Sequence, residues 1–287
     1  MKTLLGDNQF FGVNHADLKK AKATQALFGT ADKIESFIHD SLDLGIDGYM
    51  INSNDLGYQV VKNFDFKNRS DKECHYSIPY PHKYASMVNE SGMMSLLTFV
   101  LRRIRFSDIG NTLKFLFTSN VTHLISTVVR LEVPKNLPKG SVIYFQNVVA
   151  DLALGLENGS KVIGAYIQAV EKMGYKAGLI TLNPEYVKNR LVSEFKAHEL
   201  YLCFNINKTG FNVFPSVERV EQEMSYLKSH TNWKLVGMSI FSSGKSGVSI
   251  EESINYVKGL PLDYVVFGTS KLKNLSSNIK LFRSENS

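Results

Sequence analysis

Short apolar runs alternate along the chain with longer stretches whose apolar positions recur every three or four residues. The first pattern predicts buried strands and the second predicts amphipathic helices. Strands are expected at residues 3–5, 48–53, 73–80, 142–147, 177–183, 200–207, 234–240 and 264–270. Between them, helices are expected at 31–45, 56–64, 82–92, 160–173, from Pro184 onward, and at 217–227, 250–257 and 274–282. Residues 31–45 show the helical signal well: Ile34, Phe37, Ile38 and Leu42 share a face, and Gly45 is a natural stop. Pro184 stands where a first helical position accepts it.

Most of the strands are continuous apolar runs, as expected when both faces of a parallel sheet are covered. Eight strands, each followed by a helix, predict an α/β fold, a (β/α)8 TIM barrel made as one domain over residues 1–287. An open doubly wound sheet is the rival. No GxGxxG follows the first strand, which argues against it. The repeat is interrupted once. Residues 93–133 are long, apolar and basic, with Arg102, Arg103, Arg105, Lys114 and Arg130, and read as a helical insertion after strand 3. Such a segment suits a lid, a homodimer contact or a touch on an anionic membrane; the lid and the dimer contact are favoured.

Composition narrows the class. Hydrophobic residues make up 44% and charged residues 21%, which is ordinary globular composition. The net charge of +6 attracts anions but is too mild and too dispersed to predict nucleic-acid binding. Two cysteines, Cys74 and Cys203, fall in predicted strands and read as buried thiols in a reducing compartment. No stretch is long and apolar enough to predict a transmembrane segment. The opening apolar run is too short for a signal peptide, so a cytoplasmic location is expected. No HExxH, HxH or cysteine pair marks a metal site.

Active sites of (β/α)8 barrels lie at the C-terminal ends of the strands. Polar residues predicted there are Asp7, Asn8 and Gln9; Asn52 and Asn54; His75 and Tyr76; Gln146 and Asn147; Asn183; Asn205 and Asn207; Ser239; and Thr269 and Ser270. Carboxamides at so many strand ends point to a polar ligand, because an unpaired buried amide costs about 1–3 kcal/mol. The alternative is that they pair with loop backbone and cap the barrel. Asp7, His75 and His82 are the acid–base candidates, with Tyr58 and Tyr76 as proton donors. His75 has the alternative of a satisfied interior residue. Lys83, Lys208, Lys245 and Lys271 suit an anionic ligand; none lies inside a strand, so a Schiff-base aldolase is disfavoured.

The last two strand–loop units carry a family resemblance. Ser239, Phe241 and Gly244 in SIFSSG, then Gly268, Thr269 and Ser270 with Asn278 in the following helix, resemble the cofactor loops of the aldo/keto reductase superfamily. The opening LLGDNQFFG resembles that family's first strand. The resemblance implies that Ser239, Phe241, Gly244, Lys245, Gly268, Thr269, Ser270, Lys271 and Asn278 bind NADP or NAD. It also implies an NAD(P)-linked oxidoreductase acting on a small carbonyl or carbohydrate substrate, or an anionic one. The substrate would meet Asn8, Gln9, Asn52, Gln146, Asn147, Asn183, Asn205 and Asn207. The family's catalytic Asp, Tyr, Lys and His are not matched. Ile51-Asn52-Ser53 replaces the Asp-Thr-Ala motif, strand 3 lacks an internal lysine, and strand 4 ends in Gln146-Asn147. That departure leaves open a lyase, isomerase or epimerase of a phosphorylated sugar, or a ligand-binding barrel without catalysis.

Overall fold

A computed structural model describes residues 1–12, 23–24, 26–80, 121–244 and 247–284. Eight parallel strands close into a barrel in sequence order. They are β1 (Lys2–Leu5), β2 (Gly48–Asn52), β3 (Glu73–Ile78), β4 (Val142–Phe145), β5 (Lys176–Thr181), β6 (Tyr201–Asn205), β7 (Lys234–Met238) and β8 (Tyr264–Phe267). The seam is closed by β1 on β8, with Leu4 opposite Val266 and Leu5 opposite Phe267. Among the described residues the helices are α1 (Ala31–Asp43), α2 (Asp55–Asn63), α3 (Val121–Glu132), α4 (Asn147–Gly155), α5 (Gly159–Lys172), α6 (Pro184–Phe195), α7 (Val217–His230), α8 (Ile250–Lys258) and α9 (Leu272–Arg283). None of them is long and apolar enough to cross a membrane.

Several helices start where a side chain satisfies one of their first free N–H groups. Thr30 caps α1, Asn54 caps α2 and Asn183 caps α6. Ser249 and Glu252 form a reciprocal capping box on α8. The predicted faces are the buried ones. In α1, Ile34, Ile38 and Leu42 are 0–2% exposed and join the core between barrel and helices.

Alternation along each strand separates two cores. Leu4, Met50, Val142, Tyr144, Ile180, Tyr201, Cys203, Val236, Tyr264 and Val266 fill the barrel interior. Their neighbours along the strands, such as Leu5, Tyr49, Cys74, Tyr76 and Leu202, pack outward against the helices. Close approach explains Gly48: a Cβ there would sit 2.2 Å from the Glu73 carbonyl oxygen on the adjacent strand.

The end of the predicted insertion is now defined: residues 121–132 form α3, a helix between β3 and β4. Ile125 and Val129 of α3 are buried in the main core, and the helix packs on α5. A right-handed parallel crossover needs such a helix, so its apolar face belongs to the barrel. Residues 93–120 of the insertion, with the dimer contact proposed for them, lie outside the described residues. Strand 4 is shorter than expected: Asn147 opens α4, a helix that the apolar run did not announce.

The N-terminal end of the barrel is closed by a polar network. Lys2 pairs with Glu73, and Glu73 Oε2 lies 3.3 Å from His75 Nε2. His75 Nδ1 lies 2.9 Å from the Tyr144 hydroxyl, and its ring packs among Tyr144, Tyr201 and Tyr264. The carboxylate can only accept, so Nε2 carries the His75 proton and Nδ1 accepts from Tyr144.

Candidate active site

The C-terminal mouth begins with the turn after β1. Asp7 is half-buried there, and its carbonyl accepts the Phe10 N–H at 2.9 Å. Asn52, the last residue of β2, gives Asp7 Oδ2 two hydrogen bonds, from its backbone N–H at 2.8 Å and from Nδ2 at 2.6 Å. Asn52 is itself held, because its Oδ1 accepts the Asn54 N–H at 3.0 Å. Asn54 in turn caps α2 through the Gly57 N–H at 2.7 Å. The start of α2 therefore orients the amide that orients the carboxyl group.

Burial pushes the Asp7 carboxyl up to about 6, against the lowering effect of the Asn52 backbone and side-chain bonds and its own backbone N–H. A carboxyl group with that value exchanges its proton near neutral pH, as a general acid or base must. Tyr80 stands beside it, just past β3. Its backbone N–H donates to Ser53 Oγ at 3.0 Å. Burial first, and then the Asp7 charge, raises its phenol above the usual tyrosine value. A tyrosine in that state stays protonated and serves as a hydrogen-bond donor.

Gln9 completes this side of the mouth. Its Nε2 donates to the Gly6 carbonyl at 2.6 Å, while Oε1 is buried with no partner among the described residues. Gln9 lies against Gly268 at the end of β8, where an added Cβ would stand 2.3 Å from Oε1. Asn8 beside it is exposed.

Several predicted amides carry the loops instead. Asn183 accepts the Tyr186 N–H and caps α6. Asn205 Nδ2 donates to the Asn212 carbonyl at 2.9 Å. Asn207 bonds Phe211 through both the carbonyl and the N–H, each at 2.9 Å, and also accepts from Thr209. Asn183 and Asn205 thus bond loop backbone, and Asn207 bonds backbone and the Thr209 hydroxyl, as in the capping alternative. Gln146 and Asn147 are half-buried at the start of α4, where the Gln146 N–H donates to the Ile78 carbonyl at 2.9 Å.

The proton-transfer candidates separate in the same way. His75 is fully buried at the N-terminal end, away from the mouth, and Tyr76 is fully buried in the core between barrel and helices. Placement at a strand's C-terminal end is thereby corrected for both, since His75 is the third residue of β3 and not one of its last. Tyr58 is half-buried in the first turn of α2. His82 and Lys245 lie outside the described residues. Sequence reasoning missed Tyr80, although its position immediately beyond an apolar strand was a usable signal. It also missed Asp151 on α4, which accepts the Thr181 hydroxyl at 2.6 Å and the Leu182 N–H at 3.0 Å and is raised by burial. No signal pointed to Asp151, because α4 itself was not predicted.

Across the mouth, the loop after β7 is built from left-handed residues: Ser239 at φ 59°, Ser242 at 48°, Ser243 at 56° and Gly244 at 75°. Phe241 packs edge-on against Phe267 with ring centroids 5.6 Å apart. After β8, the Thr269 hydroxyl accepts the Lys271 N–H at 3.3 Å, and α9 begins with no side chain capping its first turn. Ser270 is half-buried, Lys271 is exposed and Asn278 is buried within α9. Among the described residues, no group of three or more metal-ligating side chains occurs.

No family model and no curated protein matches this sequence. Solved structures do match the fold. A Pseudomonas aeruginosa protein assigned as an aldo-keto reductase aligns over 98% of this chain and 88% of its own, at 13% identity and a TM-score of 0.57. An aldo-keto reductase from Bacillus halodurans, in its holo form, aligns over 99% of this chain and 87% of its own, at 10% identity and a TM-score of 0.54. At those identities the likeness concerns architecture. In its fold, the chain is an aldo-keto reductase-like (β/α)8 barrel.

Proposed function

We propose that the protein is an NAD(P)-linked oxidoreductase of a small carbonyl or carbohydrate substrate, with Asp7 as its proton-transfer group. The observation that carries this is the Asp7 carboxyl, fixed twice by Asn52 at the C-terminal mouth and raised to about 6. In the reducing direction, Asp7 gives its proton to the carbonyl oxygen; in the oxidising direction, it takes the proton from the alcohol. Tyr80 holds that oxygen through its phenol, and Gln9 Oε1 is an acceptor for a substrate hydroxyl. Gln9 follows β1 and Tyr80 follows β3, the two strands that flank β2, so their positions are set by the barrel.

The cofactor's phosphates would lie on the loops after β7 and β8. Three features of the chain fit this. Among the described residues, a Cβ at Gly244 would meet nothing within 4 Å, so the loop presents open backbone. The first-turn N–H groups of α9 have no side-chain cap and suit an anion. Lys271 is exposed at the same place. Ser239, Phe241, Gly244, Gly268, Thr269, Ser270 and Lys271 would hold the nucleotide, with Asn278 supporting α9. A bound nicotinamide would supply the hydride that goes to the carbonyl carbon.

A second proposal is a lyase, isomerase or epimerase of a phosphorylated sugar, using the same anion loops and Asp7. It is favoured by Ser77 occupying the interior of β3 and Gln146 the end of β4, where the resembling family has lysine and histidine. Thermal stability with NADPH, NADH or sugar phosphates separates the two. Saturation at 100 times the dissociation constant adds about 2.7 kcal/mol of stability. Stabilisation by a nucleotide is expected. Stabilisation by a sugar phosphate alone would select the second proposal. Binding of either without turnover would select a ligand-binding barrel.

A further inference from the structure

The loop after β7 is strained, and its own turn hydrogen bonds, from Ser242 N–H to Ser239 and from Gly244 N–H to Phe241, are joined by a contact from a second loop. Ser239, Ser242 and Ser243 all occupy the left-handed region, at φ 59°, 48° and 56°. For residues with a Cβ this costs about 1–2 kcal/mol each. Such backbone persists only where the surroundings impose it.

The imposing contact runs through Ser242, which is 3% exposed. Its Oγ lies 2.8 Å from Thr209 Oγ1, in the loop after β6. The Thr209 hydroxyl donates to Asn207 Oδ1 at 2.9 Å. That commits the only Thr209 proton, so Ser242 is the donor to Thr209 and the chain has one direction, from Ser242 through Thr209 to Asn207. Asn207 is fully buried and closes the loop after β6 through both of its bonds to Phe211. The rigid loop therefore holds the strained one.

We infer that Thr209 and Asn207 are positioning residues for nucleotide binding, acting through Ser242 to keep the loop 239–244 in its binding conformation. This rests on the cofactor assignment made above. Neither residue needs to touch the nucleotide. Loss of the relay lets the serine loop relax out of the left-handed region, and affinity falls while proton transfer at Asp7 continues.

The test is calorimetric titration of the full chain with NADPH and NADH, comparing wild type with Thr209→Val, Thr209→Ser and Ser242→Ala. Thr209→Val keeps the shape but removes the hydroxyl, and is expected to weaken nucleotide affinity roughly tenfold, as loss of a buried hydrogen bond does. Turnover at saturating nucleotide should stay at the wild-type value. Thr209→Ser should bind as wild type does. Ser242→Ala should match Thr209→Val, and the double variant should be no weaker than either, because one relay is broken in all three. Unchanged affinity in Thr209→Val, or a Thr209→Ser variant as weak as Thr209→Val, would overturn the inference while leaving the cofactor assignment standing. A wild type that binds neither nucleotide would overturn the cofactor assignment itself, and the inference with it.

Discussion

Asn52 reaches Asp7 twice on the same oxygen: its backbone N–H and its side-chain Nδ2 both end on Asp7 Oδ2, at 2.8 Å and 2.6 Å. Two donors on one oxygen fix the carboxyl plane while burial resists its charge. The pair therefore sets where the carboxyl group points, while burial raises the pH at which it titrates.

Removing the carboxyl charge should separate activity from stability. The folded value of about 6 lies above the ordinary 3.8, so Asp7 favours folding below pH 3.8 and that contribution is lost as pH rises through 6. At pH 8 the ionised group costs on the order of 2–3 kcal/mol. Asp7→Asn is expected to melt higher than wild type at pH 8 and at the same temperature near pH 4. Turnover should fall by roughly 10²–10⁴-fold. An unchanged turnover would remove Asp7 from the mechanism.

Asn52→Ala tests the orientation directly. The Nδ2 bond favours the charged form, so its loss should move the Asp7 titration above 6. In the oxidising direction, where Asp7 is the base, the acid limb of the pH–rate profile is expected to shift to higher pH. An unshifted limb would show that another group controls it.

At the other end of the barrel, His75 should govern acid stability without affecting turnover. Burial lowers its titration below the ordinary 6.5, with the Lys176 and Lys2 charges adding to the effect and Glu73 opposing it. Neutral His75 therefore stabilises the fold above pH 6.5, and that contribution is lost as pH falls. Burial works against the Glu73 charge, but bonds from His75 and Lys2 outweigh it and hold its carboxyl at about 2. The Glu73 contribution is present above its ordinary 4.5 and is lost as pH falls toward 2. His75→Gln is expected to flatten the melting-temperature profile between pH 6.5 and 5. Wild-type kcat in that variant would agree with His75 lying away from the mouth.

Two glycine exchanges probe the mouth. Gly268→Ala would place a Cβ 2.3 Å from Gln9 Oε1. Gln9 is a movable side chain, so the fold should survive while KM for the substrate rises. An unchanged KM would remove Gln9 from the substrate's surroundings. Ser243→Gly relieves a left-handed residue that is exposed to solvent. It should stabilise the protein by about 0.5–1 kcal/mol in chemical denaturation.

The alternation of apolar runs was enough to place the eight strands and their order. Continuous runs such as the one over β6 can only be buried on both faces, and short strand–helix spacing permits only parallel crossovers. Helix starts were legible where a capping residue precedes the periodic stretch, as at Pro184. α4 was not legible, because its apolar residues include exposed ones, with Leu152 at 70% exposure, and so carry no clean face.

For the candidate site, the chain by itself determined which polar residues leave the strand ends and that the two final loops are rich in glycine and serine. Only the tertiary structure decided their roles. Asn183 and Asn207 look like Asn52 in sequence, yet each is consumed by backbone that folds back onto it, while Asn52 faces a carboxyl group from another strand. His75 and Tyr80 are five positions apart in the same segment, yet one closes the N-terminal end and the other stands at the C-terminal mouth. Periodicity tells inside from outside, because it follows from local backbone geometry. Which groups meet depends on strand register and barrel closure, and these arise from contacts between residues far apart in the chain.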